Sequence, residues 1–206
     1  MNKIVKDALI LTIITLVSGC LLGLVYEITK DPIAKAEYEA QQKAYQTVFA
    51  DAAGGFEEYE GFDAEAAAQI VAASNYPENT IEGVVEAKDA SGNTLGYVIT
   101  VTSHSGYGGD ITFSVGIQND GTLNGYSITS IGETAGLGMK AKEEAFSSQF
   151  VNKSADVYEV TKNGAVSEDQ IDAISGATIT SRAMTYGVDA ALVYFETIAE
   201  GGSVNE

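Results

Sequence analysis

From Ala8 to Tyr26 the chain reads ALILTIITLVSGCLLGLVY, an uncharged run held between Asp7 and Glu27. A helix rises about 1.5 Å per residue and needs around 20 apolar residues to cross about 30 Å of hydrocarbon, so this run just spans a bilayer. Its hydroxyl residues, Thr12, Thr15 and Ser18, can bond back to helix carbonyls and need no water. Lys3 and Lys6 precede the run, and Glu27, Lys30 and Asp31 follow it. The positive flank belongs on the cytoplasmic side, which puts the bulk of the chain outside. The expectation is a single-pass protein of the cell (inner) membrane: residues 1–7 cytoplasmic, 8–26 in the lipid bilayer, the rest extracytoplasmic.

Two rival readings of the run are weaker. A cleaved signal peptide has a shorter apolar region and a small-x-small site before a polar start. Val17-Ser18-Gly19-Cys20 resembles a lipid-attachment box, but the LLGLVY that follows is no polar tether. Cys20 therefore reads as a small apolar residue of the helix.

Charge and residue inventory remove most other functions. Lys+Arg total 11 against 29 Asp+Glu, a net charge of −18, and such a surface repels nucleic-acid backbones. With one cysteine and one histidine, neither a disulfide framework, a CxxC pair nor the usual Cys- or His-rich metal centre can be built. No metal site is expected. No G-x-S-x-G elbow surrounds any serine, and His104 sits in a Gly/Ser loop, so a serine hydrolase is excluded. Glu57-Glu58, Glu60 and Glu143-Glu144 lie in acidic runs without the spacing of a glycosidase pair. Chemistry must come from hydroxyls, carboxylates, backbone amides or a bound organic cofactor.

Beyond the span, Asp31-Pro32 is a good helix start, and alanines with Glu, Gln and Lys favour helix to about Ala50. Residues 27–50 thus read as a membrane-proximal helix, and 51–206 as the extracytoplasmic domain. Asp51 to Gly61 reads as a loop and Ala64 to Ala73 as a short helix. The period then changes to strands: Ile81 to Glu86 with Leu95 to Thr102, and Ile111 to Ile117 with Leu123 to Ile131. The second pair turns at Asn119-Asp120-Gly121. Glycine-rich loops occupy 103–109 and 132–140. A helix is expected from Lys140 to Phe150 and a strand from Val157 to Thr161. The last helix, Arg182 to Glu200, carries Met184, Val188, Ala191, Leu192 and Phe195 at helical spacing. The fold class is α+β, an antiparallel sheet with packed helices.

The segment Asp172-Ala173-Ile174-Ser175-Gly176-Ala177-Thr178-Ile179-Thr180-Ser181-Arg182 sets hydroxyls and small residues just before that helix. A helix N-terminus offers free N–H groups and partial positive charge to an anion such as phosphate. Gly176 and Ala177 let another molecule approach the backbone. An ordinary cap by Thr180 or Ser181, with nothing bound, reads equally well from these residues alone.

D-x-x-S-G-A-T resembles the flavinylation motif of the membrane-anchored FMN-binding subunits of the Rnf and Nqr complexes. The resemblance implies covalent FMN, joined through its phosphate by a flavin transferase to the last threonine, here Thr178. Asp172, Ser175, Gly176 and Ala177 match the motif, with Asp172 implied in recognition by the transferase. Glu133-Thr134-Ala135-Gly136-Leu137-Gly138 is similar to the family's E-T-P-G-L-G segment near the flavin, with Ala135 where proline is usual. Glu133, Thr134, Gly136, Leu137 and Gly138 are therefore implied at the cofactor, with Thr180 and Tyr107 as further candidates. The short length and the D-P stalk look more like the Rnf G subunit than the longer Nqr C subunit. The implied function is electron transfer beside other membrane subunits of an Rnf-type ion-translocating ferredoxin:NAD oxidoreductase. A stand-alone flavinylated shuttle and a cofactor-free, membrane-anchored binding module are the alternatives.

Overall fold

A computed structural model describes residues 3–202. Contacts divide the chain into a unit ending at Ala40 and a second beginning at Gln41.

Helix α1 (Lys3–Val48) carries the apolar run near its start and is long and apolar enough to cross a membrane. Leu11, Leu16 and Leu22 project outward, as lipid-facing side chains do. Thr12 Oγ1 donates to the Ala8 carbonyl at 2.9 Å and Thr15 Oγ1 to that of Leu11 at 3.1 Å, so these polar side chains are satisfied within the helix. The helix does not restart at Asp31 as expected; it passes through Pro32 unbroken. Proline there removes one N–H, and the Ile28 carbonyl it would have met is on an exposed residue that water can reach. Strong helix formers on both sides then propagate the helix.

The second unit takes in the last turns of α1, where Ala44, Tyr45 and Val48 are buried. Its sheet is a five-stranded antiparallel meander in the order β1-β2-β3-β4-β5: β1 (Gly55–Glu58), β2 (Asn79–Lys88), β3 (Thr94–Ser103), β4 (Ile111–Gln118) and β5 (Leu123–Ile131). Strand β1 lies where a loop was expected. Four residues give no alternation to read, yet two of them, the exposed Glu57 and Glu58, protect an edge from further pairing. Alternation along β3 sends Ile99 and Val101 to the main core and Val98 to the opposite face. On that second face Gly96 and Gly116 leave room for Phe49 and Val48, because a Cβ on either would sit 2.8 Å from them. Farther along, the same face is polar: Thr100 pairs with Ser114 at 3.2 Å and Thr102 with Thr112 at 3.0 Å.

Helices α2 (Ala64–Ala73) and α4 (Thr178–Gly202) cover the main face. Asp63 caps α2 by accepting from the Ala66 N–H at 2.8 Å. The expected stripe of α4 is buried throughout, and Gly187 lets the helix lie against Phe113, whose Cζ would be 2.5 Å from an added Cβ. The helix expected over 140–150 is broken into a 3₁₀ turn (Gly138–Lys142), a single α turn, α3 (Glu144–Ser147), and a second 3₁₀ turn (Ser148–Phe150). On one regular helix Ala141 and Phe146 would point about 140° apart. An extended Glu143 (φ −79°, ψ 143°) between the pieces brings both into the core with Phe150. A short parallel pair completes the unit: β6 (Glu159–Thr161), inside the strand expected over 157–161, and β7 (Gln170–Asp172), which the sequence did not announce.

Candidate functional site

Three segments that follow strands converge on one cleft. Tyr107 comes from the β3–β4 loop; Glu133, Thr134, Leu137 and Gly138 from the segment after β5; Gly176 to Thr180 from the turn that starts α4. Together they enclose about 520 Å³.

Glu133 ties the first two segments together. Its carboxylate is buried, and Oε1 accepts from the backbone N–H groups of Tyr107 at 2.7 Å and Gly108 at 3.2 Å. Bonds from backbone N–H to an ionised acceptor are among the stronger ones a loop can have. The Thr134 carbonyl accepts from Leu137 and Met139 at 3.1 and 3.2 Å, closing a turn in which Gly136 takes φ +75°. Leu137 is then laid over Gly176, where an added Cβ would sit 3.1 Å from Leu137 Cδ2.

The third segment is a turn locked onto its own helix. Ala177 N–H donates to the Ile174 carbonyl at 2.9 Å, and Gly176 supplies the positive φ, +78°, that this bend requires. Ser181 Oγ accepts from Ile174 N–H and donates to the Ala177 carbonyl, each at 2.9 Å. The sequence pattern starts the helix at Arg182 with Thr180 or Ser181 as its cap. Instead α4 begins at Thr178, and both residues lie inside its first turn, buried. The reason is this clamp: Ser181 reaches back over the turn and draws four more residues into the helix. The N–H groups that a first turn leaves without helical acceptors consequently belong to Thr178, Ile179 and Thr180, at the wall of the cleft.

Of the residues singled out from the sequence, Tyr107, Glu133, Thr134, Leu137, Gly138, Gly176, Ala177, Thr178 and Thr180 line the cleft. Gly136, Ser175 and Asp172 do not; Asp172 sits at the end of β7, its backbone held by the Gln149 side chain. Ile179 lines it without having been anticipated. Its signal was an apolar residue between two hydroxyls at a helix start, half exposed at 52%.

Gly138 is the tightest point. A Cβ there would lie 2.5 Å from Glu133 Oε2 and 2.6 Å from Thr180 Oγ1. Gly138→Ala is expected to destabilise the chain by about 1–3 kcal/mol through overpacking, read as a lower thermal midpoint of the detergent-purified protein. An unchanged midpoint would show that this contact has slack.

Residues 106–193 match the family described as FMN-binding domain, and residues 1–48 match the RnfG N-terminal region. The G subunit of the Na(+)-translocating ferredoxin:NAD(+) oxidoreductase complex of Acetobacterium woodii is 33% identical over 197 residues, 95% of this chain and 93% of that protein. Its counterpart, the G subunit of the proton-translocating complex of Clostridium ljungdahlii, is 33% identical over 193 residues, covering 93% and 91%. In fold, the domain is similar to the crystal structure of Shewanella oneidensis NqrC, with a TM-score of 0.51, 20% identity, and coverage of 70% of this chain and 76% of that one.

Proposed function

Because this chain belongs to the RnfG family, the G subunits of ion-translocating ferredoxin:NAD(+) oxidoreductase complexes, we propose that it is the flavin-bearing electron-transfer subunit of such a complex, with FMN joined through its phosphate to Thr178. The observation that carries this reading is the position of Thr178. It closes the D-x-x-S-G-A-T motif, opens α4, and stands half-buried on the wall of an apolar cleft.

The residues present fit the group. A cleft of about 520 Å³ lies inside the roughly 300–1,000 Å³ range of pockets that hold organic cofactors. Glycine at 176 and 138 keeps its walls open where a side chain would collide with Leu137, Glu133 or Thr180. Leu137, Ile179 and Tyr107 offer apolar surface to a flat ring, and the first turn of α4 sets its free N–H groups beside the Thr178 hydroxyl that would carry the phosphate. Bound there, FMN supplies one- and two-electron chemistry that the side chains lack. The single cysteine lies in the apolar run, and the single histidine is engaged by Asp110 and Thr80 at 3.0 Å each. Attachment forms an O–P bond from Thr178 as the bond from phosphorus to its leaving group breaks; the leaving group departs and the hydroxyl proton is released, without electron transfer. The co-reactant is a flavin nucleotide whose phosphoryl carries a leaving group, presented by a flavin transferase.

The anchor sets where this happens. With Lys3 and Lys6 cytoplasmic, the domain faces the extracytoplasmic side of the cell membrane, beside the other membrane subunits. A tether of this kind keeps the cofactor from being lost and raises its effective concentration at those partners. Two measurements test the reading. The intact chain from its native membrane should be heavier by one FMN less one water, and external protease on sealed protoplasts should remove the domain. An unmodified mass despite a co-expressed transferase sinks the flavin assignment. Protection that persists until lysis sinks the orientation.

A further inference from the structure

Two cavities meet at Thr178. Beside the cleft lies a second, of about 390 Å³, lined by Lys162, Ala173, Ile174, Ser175, Gly176 and Thr178. Gly176 and Thr178 belong to both, so a group on the Thr178 hydroxyl stands on the wall between them. The two differ in chemistry. The cleft is lined by Tyr107, Leu137 and Ile179, whereas the lining of the smaller cavity includes a serine and a lysine.

Lys162 reaches this place through the β6–β7 pair. Thr161 is in register with Asp172, and the Thr161 carbonyl accepts from Ala173 N–H at 2.8 Å, which sets the next residue, Lys162, beside the turn leading to Thr178. Cations are scarce in a chain with 11 Lys+Arg against 29 Asp+Glu. Lys162 is exposed and, like Lys140, Lys142, Lys153 and Arg182, has no ion-pair partner among the described residues; what sets it apart is that it lines the cavity that Thr178 also lines. A lysine lining the same cavity as a phosphoryl-bearing hydroxyl supplies the charge complement that an anionic ester requires.

We propose that the smaller cavity seats the phosphoryl group on Thr178 with Lys162 as its cationic positioning partner, which directs the isoalloxazine into the cleft on the other side. This rests on the reading that Thr178 carries FMN. Before attachment, the same ammonium draws an anionic flavin nucleotide toward a surface that otherwise repels it. Afterwards it holds the phosphodiester, fixing which side of Thr178 the ring occupies.

The full chain is co-expressed with a flavin transferase as native protein and as Lys162→Ala, Lys162→Glu, Lys162→Arg and, as a control lysine that lines a different cavity, Lys153→Ala. Three quantities are read: the initial rate of covalent labelling from intact mass, the ³¹P resonance of the phosphodiester, and the thermal midpoint. Lys162→Glu should slow labelling by about tenfold, as reversal of a steering charge does, while Lys162→Arg and Lys153→Ala label at the native rate. The ³¹P resonance should move in Lys162→Ala and return toward its native position in Lys162→Arg, with midpoints unchanged throughout. A native rate and resonance in both Lys162→Ala and Lys162→Glu overturn the proposal. Slower labelling with an unmoved resonance also overturns it, since Lys162 would then act in docking the transferase. A native chain that acquires no flavin is recognised separately from its own mass and overturns the reading beneath.

Discussion

Thr178→Ala is expected to abolish the covalent flavin: no in-gel fluorescence after denaturation and no peptide heavier by one FMN less one water, in a chain that still reaches the membrane. Thr178→Val tests the same point with nearly the native shape, and Thr178→Ser, which keeps a hydroxyl, remains a substrate for attachment. Neighbouring hydroxyls cannot readily take over. Thr180 is 1% exposed and faces Gly138 and Glu133, and Ser181 is fully buried with its hydroxyl committed to Ile174 and Ala177. Ser175 is the accessible competitor, since it is exposed and lines the smaller cavity. Peptide mapping therefore decides the matter. Covalent flavin persisting in Thr178→Ala, on Ser175 or elsewhere, would remove the central assignment. Alanine is a strong helix former at a half-buried first turn, so loss of flavin with an unaltered thermal midpoint separates chemistry from folding.

The second large effect lies farther along α4. Asp189 is completely buried, and its Oδ1 accepts from Tyr158 N–H at 2.9 Å. Burial pushes its carboxyl from 3.8 up to about 7, against the opposing pull of that N–H and of the nearby Tyr76 phenol. Tyr76 falls short of a full hydrogen bond, and Oδ2 is left without a partner. The phenols of Tyr76 and Tyr158, both themselves pushed up to about 12 by burial first and then by Asp189, are the titratable groups that face it.

The sign follows from proton counting. Between about pH 4 and pH 7 the folded chain holds the Asp189 proton and the unfolded chain has lost it. Stability contributed by this group is therefore whole below pH 4 and falls as pH rises, until it levels off above pH 7. The separation between 3.8 and about 7 corresponds to a loss on the order of 4 kcal/mol. Asp189→Asn keeps an acceptor for Tyr158 and cannot ionise. Urea denaturation of native and variant chains at pH 4.5 and pH 8 should show the variant gaining several kcal/mol on the native protein between the two. A stability difference that does not change with pH would mean that Asp189 ionises in the folded state as freely as in water.

Local periodicity carried much of this protein in plain view. The apolar run, the two hairpins, α2 and the buried stripe of α4 each follow from side-chain spacing that repeats within a few residues. Asp120-Gly121 ends one strand and begins the next because Gly121 takes φ +85° and Asp120 Oδ1 accepts from Thr122 N–H at 2.9 Å, both local requirements. The motif ending in Thr178 was likewise legible, since it is contiguous. Elements without such repetition were not. Strand β1 is four residues at an edge, β7 is three, and the break at Glu143 exists only to turn Ala141 and Phe146 toward a core built by other segments.

What tertiary structure alone decided is where the loops meet. Tyr107 and Glu133 are joined by a backbone-to-carboxylate bond spanning 26 residues, and Leu137 lies on Gly176 only because α4 is already packed on the sheet and on the 3₁₀ turn that follows Leu137. The first turn of α4 was extended by a serine bonding backward, a choice that propensity does not encode. Lys162 came to Thr178 through a parallel strand pair whose partners share no periodic signal. Neighbour spacing along the chain determines which segments become helices and strands, because those hydrogen bonds close within or between adjacent segments. The cleft is closed by contacts between residues far apart in sequence, and their positions exist only once the sheet register and the seating of α4 have been set.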